Sequence, residues 1–254
     1  MATPADHALA ADLATRAGTL LLAIRARLAA DGAPAALLKH EGDQSSHDFL
    51  MAALAEHRPG DAVLSEEGTA HAVHPDRSGA ERTWIVDPVD GTREYSEPPR
   101  SDWAVHVALV EAGRPTAGAV ALPALDLTLS TVGPPAAAGF PPVGTSPRMV
   151  ISRSRPPAEA LAVCAALGGE LVEMGSAGAK AMAVVRGEVD AYVHSGGQYE
   201  WDSCAPVAVA EAAGLHTSRI DGSPLVYNCP DPYLPDLVIC RAELADAILS
   251  ALAG

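Results

Sequence analysis

Trp84-Ile85-Val86-Asp87-Pro88-Val89-Asp90-Gly91-Thr92 joins an apolar strand to two carboxylates, a glycine and a hydroxyl. Pro88 fixes its own φ and steers Asp87 away from the helical region, so the sequence predicts a turn here and not a continuing strand or helix. Gly91 lets the backbone come close to a ligand. Two carboxylates three residues apart across that turn can converge on one side. They would supply the hard oxygen ligands that Mg²⁺ prefers and leave positions for water and phosphate. The competing reading is a polar turn after a buried strand, because Asp, Pro and Gly are also ordinary turn residues.

The chain of 254 residues is long enough for one large domain or two small ones. Hydrophobic residues make up 48% and aromatics only 4%, so the core must be built from Ala, Val and Leu, with closely packed helices. No apolar run approaches the roughly 18 residues of a membrane span. Asp6 and Asp12 stand where a signal peptide carries basic residues, so a cytoplasmic location is expected. Cys164, Cys204, Cys229 and Cys240 lack zinc-like spacing and are expected to be reduced, buried thiols. A formal net charge of -15 argues against nucleic acid and anionic membrane as partners. The same field repels a phosphorylated substrate unless bound cations reverse its sign locally.

Thr3-Pro4 predicts an N-cap with proline in the first helical turn, and Leu9, Leu13, Leu20, Leu21, Ile24 and Leu28 continue that helix to Asp31-Gly32. Ser45 to His57 predicts a second helix. Strands are expected at Ala62 to Leu64 and Thr83 to Val86, separated by an acidic loop and a polar excursion. A hairpin around Gly113-Arg114-Pro115 should join Trp103 to Val110 with Thr116 to Leu122, and Leu127 to Val132 should add a strand. This half reads as α+β with an antiparallel sheet. The Pro-, Gly- and Ala-rich stretch 133–147 predicts a boundary between domains 1–132 and 148–254.

Beyond the boundary, strands at Met149 to Ile151, Leu171 to Met174 and Ala191 to His194 alternate with helices at Ala158 to Leu167 and Ala177 to Arg186 in the α/β manner. A helix over Trp201 to Ala213, a strand over Leu237 to Cys240 and a helix over Ala242 to Ala253 complete the expected order.

Four acidic sites stand apart from ordinary surface charge: Asp43, Glu66 with Glu67, the Asp87/Asp90 pair, and Asp202. Each is expected at an element boundary. A solvated acidic turn competes at Glu66, and a simple N-cap competes at Asp202. Ser176 and Lys180, four apart at an expected helix start, can present a hydroxyl, backbone N–H groups and an ammonium to one anion. A capped helix with a surface lysine is the plainer alternative. The segment is no nucleotide P-loop, because it lacks the adjacent Gly-Lys followed by Ser or Thr. The nine histidines form no metal-like cluster, and His106, inside an alternating strand, is expected to be structural.

The ordered set Asp43-Gln44, Glu66-Glu67, Asp87-Pro88-Val89-Asp90-Gly91-Thr92 and Trp201-Asp202 resembles the inositol monophosphatase superfamily of Mg²⁺-dependent, lithium-inhibited phosphatases. The resemblance covers essentially the whole chain and implies a layered α-β-α-β-α sandwich. Glu200, Ser152-Arg153-Ser154 and Gly175-Ser176-Ala177 with Lys180 look most like the bacterial CysQ branch of 3′(2′),5′-bisphosphate nucleotidases. Carried over, it makes Glu66, Asp87, Asp90, Asp202 and the Val89 carbonyl metal ligands. Asp43, Thr92 and Glu66 become the catalytic set, with Asp43 as base and Thr92 helping to orient the attacking water. Asp90, Gly91, Thr92, Arg153, Ser176 and Lys180 become substrate contacts, and Tyr199 or His194 would border the base. Five carboxylates bring about -5 and two or three Mg²⁺ about +4 to +6, so metal loading nearly cancels the charge of the site.

Two departures stand out. The approach to Asp43, Ser/Thr-rich in the family, reads Lys39-His40-Glu41-Gly42, which bears on the loop that helps hold a third metal. His194 to Gln198 lacks the arginine of many nucleotidases, which puts the second phosphate on Lys180 and Arg153.

The implied activity is removal of the 3′-phosphate of adenosine 3′,5′-bisphosphate (PAP), with its sulfated precursor (PAPS) as a further substrate, in the service of sulfate assimilation. The same metal chemistry on inositol phosphate or fructose 1,6-bisphosphate is the nearest rival. A phosphatase with an aspartyl nucleophile is disfavoured, because its Asp-x-Asp spacing is two and not three. A noncatalytic acidic metal-binding protein is disfavoured by the absence of a calcium-loop pattern and the presence of Asp43 and Thr92. The expected partner is a small phosphorylated nucleotide. The sequence leaves oligomeric state open, a homodimer included.

Overall fold

A computed structural model of the chain describes residues 1–68, 76, 77 and 79–254. The polar excursion expected between the first two strands lies largely outside the described residues. Helix α1 (Pro4–Ala30) starts as its sequence predicts. Thr3 accepts from the Asp6 amide at 3.3 Å, its own amide donates to Asp6 Oδ2 at 2.8 Å, and Pro4 opens the first turn.

Helix α2 (Ala35–His57) begins ten residues earlier than expected and is continuous through Lys39–Gly42. Asp43 therefore lies inside a helix, not at an element boundary. Gly42 does not break it, because the missing side chain makes room for Tyr95: a Cβ there would sit 2.5 Å from the ring. Leu38, Gly42, Ser46, Leu50 and Leu54, four apart, form the buried stripe.

The first sheet contains β1 (Ala62–Ser65), β2 (Arg82–Asp90), β3 (Ala104–Glu111), β4 (Arg114–Leu122) and β5 (Leu127–Ser130), in that spatial order. It is antiparallel, as expected of this half, except at its edge, where β1 runs parallel to β2. Ala112 and Gly113, with φ of 51° and 76°, make the two-residue hairpin between β3 and β4, slightly before the expected turn. A four-residue helix, α3 (Thr92–Tyr95), follows β2.

In the other half, β6 (Arg148–Ser152), α4 (Ala158–Ala166), β7 (Glu170–Met174), α5 (Ala177–Val185), β8 (Ala191–Tyr199) and α6 (Glu200–Ala212) follow in sequence. β9 (His216–Ser218), β10 (Tyr233–Cys240) and α7 (Ala245–Ala253) complete the chain. Its sheet has the order β7-β6-β8-β10-β9, parallel among β7, β6 and β8 and antiparallel beyond. β9 escaped prediction because three residues, His-Thr-Ser, carry no hydrophobic period.

The layers run α1 and α2, first sheet, α5 and α6, second sheet, α4 and α7. Strand alternation feeds two of the cores. Val105, Val107 and Leu109 of β3 join the α1/α2 core, whereas Ala104, Ala108 and Val110 face α5 and α6. His106 occupies the inner face between those alanines. Gly118 of β4 admits α6, since a Cβ there would lie 2.8 Å from Ala208 Cβ. All four cysteines are free, three buried and Cys229 partly so. Among the described residues no helix is long and apolar enough to cross a membrane.

Candidate active site

The strand β2 does not stop at Asp87 as Pro88 led us to expect. It runs to Asp90 through a bulge: the ladder pairs Asp87 with His106 and Asp90 with Ala104, leaving one extra residue on β2. Pro88 has no N–H to give a ladder, which is why the irregularity falls there. The polar groups of the bulge are tied down. The Val89 amide donates to Asp87 Oδ1 at 3.0 Å, Ser46 Oγ donates to the Pro88 carbonyl at 2.8 Å, and Thr92 Oγ1 donates to the Val89 carbonyl at 3.1 Å. Gly91 turns the chain with φ 81°, and a Cβ there would meet Ser176 at 2.7 Å.

Asp87, Asp90 and Asp202 each bring one carboxylate oxygen within 4.8 Å of the others. Asp202 comes from the first turn of α6, where its Oδ2 accepts from the Tyr199 amide at 2.7 Å. Glu66, just past β1, shares a hydrogen bond with Asp87.

Burial, with repulsion from Glu66 and Asp90, raises Asp87 well above the carboxylate range. Burial and then Asp202 push Glu66 up to about 7, and burial and then Asp90 push Asp202 up to about 6. Carboxylates crowded so that they hold protons near neutrality are a donor set whose repulsion a hard divalent cation relieves. The residues present fit such an ion. Asp43, across the site on α2, is pushed up to about 7 by burial and Glu67, against a hydrogen bond with Thr92.

Asp90 is the exception. Burial acts to raise it, but His106, Ser176 and Lys180 outweigh that effect and lower it to about 2. Its carboxylate rests on the start of α5, accepting from Ser176 Oγ at 2.6 Å, the Ala177 amide at 3.1 Å and the Gly178 amide at 2.5 Å. The anion expected at that helix start is therefore supplied by the protein itself. His106 presents Nε2 to Asp90 Oδ2 at 3.1 Å and Nδ1 to the Trp201 carbonyl at 2.9 Å, linking Asp90 to the turn that carries Asp202. Sequence reading missed this contact. The only signal for it was a histidine where the inward-facing residues of β3 are alanine and valine.

The segment 90–94 after β2, residues 175–177 and Lys180 at the start of α5, residues 152, 154 and 155 at the end of β6, and Tyr192 with residues 194–198 of β8 line one cleft of about 430 Å³, within the size class of small-molecule sites. Lys180 is buried there. Its ammonium donates to the Gly175 carbonyl and to the Ser176 carbonyl at 2.7 Å, lies 5.3 Å from the Tyr192 ring centre, and is lowered by burial to about 8.

Arg153 does not line the cleft. Its Nε donates to Glu94 at 2.6 Å and its Nη2 to Glu97 at 2.8 Å, so the guanidinium clasps β6 to the segment after β2. The side chain expected to meet a phosphate is here engaged by two carboxylates. Arg155, which sequence reading passed over, lines the cleft instead. Of the two candidates for the base, His194 lines the cleft, while Tyr199 stacks on Trp201 with centroids 4.8 Å apart. Glu200 binds the Asn228 and Cys229 amides at 2.6 and 2.8 Å.

The family model described as the inositol monophosphatase family matches residues 7–137 and 145–253. A 3′-phosphoadenosine 5′-phosphate phosphatase of Mycobacterium leprae is 50% identical over 259 residues, covering 97% of this chain and 93% of its own. The 3′(2′),5′-bisphosphate nucleotidase CysQ of Escherichia coli K12 is 30% identical over 200 residues, covering 76% of this chain and 80% of its own. Among solved structures, CysQ of Bacteroides thetaiotaomicron superposes with a TM-score of 0.73 at 26% identity, over 93% of this chain and 97% of that one.

Proposed function

The chain belongs to the inositol monophosphatase family, and from that premise we propose that it removes the 3′-phosphate of adenosine 3′,5′-bisphosphate, giving AMP and phosphate, with Mg²⁺ as its cation. The observation that carries the reading is similarity at half of all positions, over nearly the whole chain, to a phosphatase named for that substrate. The family is metal-dependent, and Asp87, Asp90 and Asp202 form the acidic cluster such a cation needs. In this reading Glu66 and the Val89 carbonyl join them, and Li⁺ competes for one position. Residues 1–132 carry the chemistry, and 148–254 contribute Asp202 to it and hold the rest of the substrate. The sulfated precursor is the second substrate, sulfate assimilation the context, and the cytoplasm the location.

When bound, divalent cations would acidify water and offset the charge of the phosphate. The chain's own residues do the rest. Asp43, poised near neutrality, takes the proton of the attacking water as its oxygen bonds to phosphorus and the bond to the ribose 3′-oxygen breaks, and that oxygen takes a proton from solvent water to leave as the hydroxyl of AMP. Thr92, whose hydroxyl lies between the Val89 carbonyl and Asp43, helps orient the attacking water. The amides of Gly91 and Thr92 receive phosphate oxygens as negative charge develops.

The test is a kinetic panel with Mg²⁺. Adenosine 3′,5′-bisphosphate should exceed inositol 1-phosphate and fructose 1,6-bisphosphate in kcat/KM by at least about tenfold. Equal or reversed preference rejects the nucleotidase reading, and full activity in excess Li⁺ counts against the cation assignment.

A further inference from the structure

A bisphosphate substrate carries a phosphate that does not react, and the metal cluster offers it nothing. Its counter-charge must come from the second-sheet wall of the cleft. Three cationic side chains line the cleft among the described residues: Arg93, Lys180 and Arg155. Arg93 is paired with Glu97 at 3.4 Å. Lys180 is buried and gives two of its three N–H donors to the Gly175 and Ser176 carbonyls. Among the described residues, Arg155 alone of the three has no acidic or carbonyl partner for its guanidinium. Arg153 is held by Glu94 and Glu97 outside the lining.

The backbone presents Arg155 stiffly. Its amide donates to Ser152 Oγ at 3.2 Å, and Pro156-Pro157 follow, which restricts Arg155 to extended conformations and sets its turn against the start of α4. Across from it, Gly196 and Gly197 both have φ 74°, and a Cβ on Gly197 would lie 4.0 Å from Arg155 Nη1. Gly197 thus puts no side chain against the guanidinium, which lines the cleft. His194 in the same wall adds no charge: burial, followed by Lys180 and Arg155, lowers it to about 4, and its Nε2 faces the Gly196 carbonyl at 2.8 Å. Ser195 is taken by Glu159.

We propose that Arg155 is the specificity-determining residue for the nonreacting phosphate, binding it through the planar guanidinium and so distinguishing bisphosphates from monophosphates. A forked donor set matches two phosphate oxygens at once, which a lysine cannot reproduce. The assignment rests on the nucleotidase reading above and adds the residue that enforces it.

The experiment compares wild type, Arg155→Ala, Arg155→Lys and Arg153→Ala on adenosine 3′,5′-bisphosphate and 3′-AMP, which share base, ribose and scissile phosphate. The readout is the ratio of kcat/KM for the two substrates. Arg155→Ala should cut that ratio at least about tenfold, mainly through KM, and Arg155→Lys should recover part of it. Arg155 makes no side-chain contact that folding needs, so the variant is expected to stay folded.

An unchanged ratio in Arg155→Ala, with a high ratio in wild type, overturns the assignment and leaves the nucleotidase reading standing. A collapse of the ratio in Arg153→Ala alone overturns it in favour of that residue. A wild-type ratio near or below one overturns this inference, since no residue then selects for the second phosphate, and the panel with inositol 1-phosphate and fructose 1,6-bisphosphate tests the nucleotidase reading separately.

Discussion

Ser176 Oγ donates to Asp90 Oδ2 at 2.6 Å while accepting from the Ala179 amide at 2.9 Å, so one hydroxyl both caps α5 and orients a carboxylate of the acidic cluster 86 residues away. The start of α5 thereby becomes a rigid seat for Asp90. Ser176→Ala should cost about 1 kcal/mol from the lost cap alone and should also weaken Mg²⁺ activation. A denaturation midpoint and a Mg²⁺ titration of activity check both, and an unchanged Mg²⁺ requirement would separate the cap from the site.

Gly178 has no room for a side chain, because a Cβ would lie 2.1 Å from His106 Nε2 and 3.0 Å from Asp90 Oδ2. Gly178→Ala should therefore displace the imidazole or the carboxylate and reduce turnover by about 10²-fold or more. If the purified variant keeps near-normal kcat, the His106–Asp90 contact does not hold the site.

Asp90→Asn should nearly abolish turnover, because the amide weakens the cluster's grip on a cation. Calorimetric titration with Mg²⁺ is the direct check. Asp43→Asn should instead keep Mg²⁺ affinity and lower kcat by about 10²–10⁴-fold, the range of a lost general base. It should also flatten the acid limb of the pH profile near 7, where Asp43 gives up its proton.

Glu66 and Asp202, at about 7 and 6, lie above their ordinary values, so the metal-free fold binds protons that the unfolded chain releases. Their contribution to stability is present below pH 4 to 5 and is lost as pH rises through 6 and 7. Chelator-treated protein should accordingly lose thermal stability between pH 5 and 8, and Mg²⁺ should restore it. Cation binding should release protons in that window. Melting curves with and without Mg²⁺, and calorimetry in two buffers of different ionisation enthalpy, test the sign.

Arg153→Ala leaves Glu94, which is 7% exposed, without its cation. Removing one partner of a largely buried pair costs about 2–4 kcal/mol. A drop in the urea midpoint is expected, and its absence would mean that the clasp does not hold the two sheets together.

Much of the order of elements is legible in the chain because its signals are local. Thr3-Pro4 caps α1, the alternation of β3 and β4 repeats every second residue, and Asp87 to Thr92 combines turn chemistry with carboxylates. The start of α2 is less legible, since Gly42 reads as a breaker until Tyr95 is packed against it. The bulge at Pro88 is similar: proline predicts an interruption, but only the pairing with β3 shows that the strand resumes through Asp90.

The sequence alone determined which carboxylates stand apart from ordinary surface charge and that the regular strand is interrupted at Pro88, because both depend on neighbours within a few bonds. Tertiary structure decided which charges are free to act. Arg153 and Arg155 are equivalent candidates in one dimension, yet Glu94 and Glu97, more than fifty residues away in sequence, capture the first and leave the second open. Likewise the start of α5 reads as a seat for a ligand anion until Asp90 is found in it. Electrostatic pairing acts through space and depends on burial, and neither quantity is written in the spacing of residues along a chain.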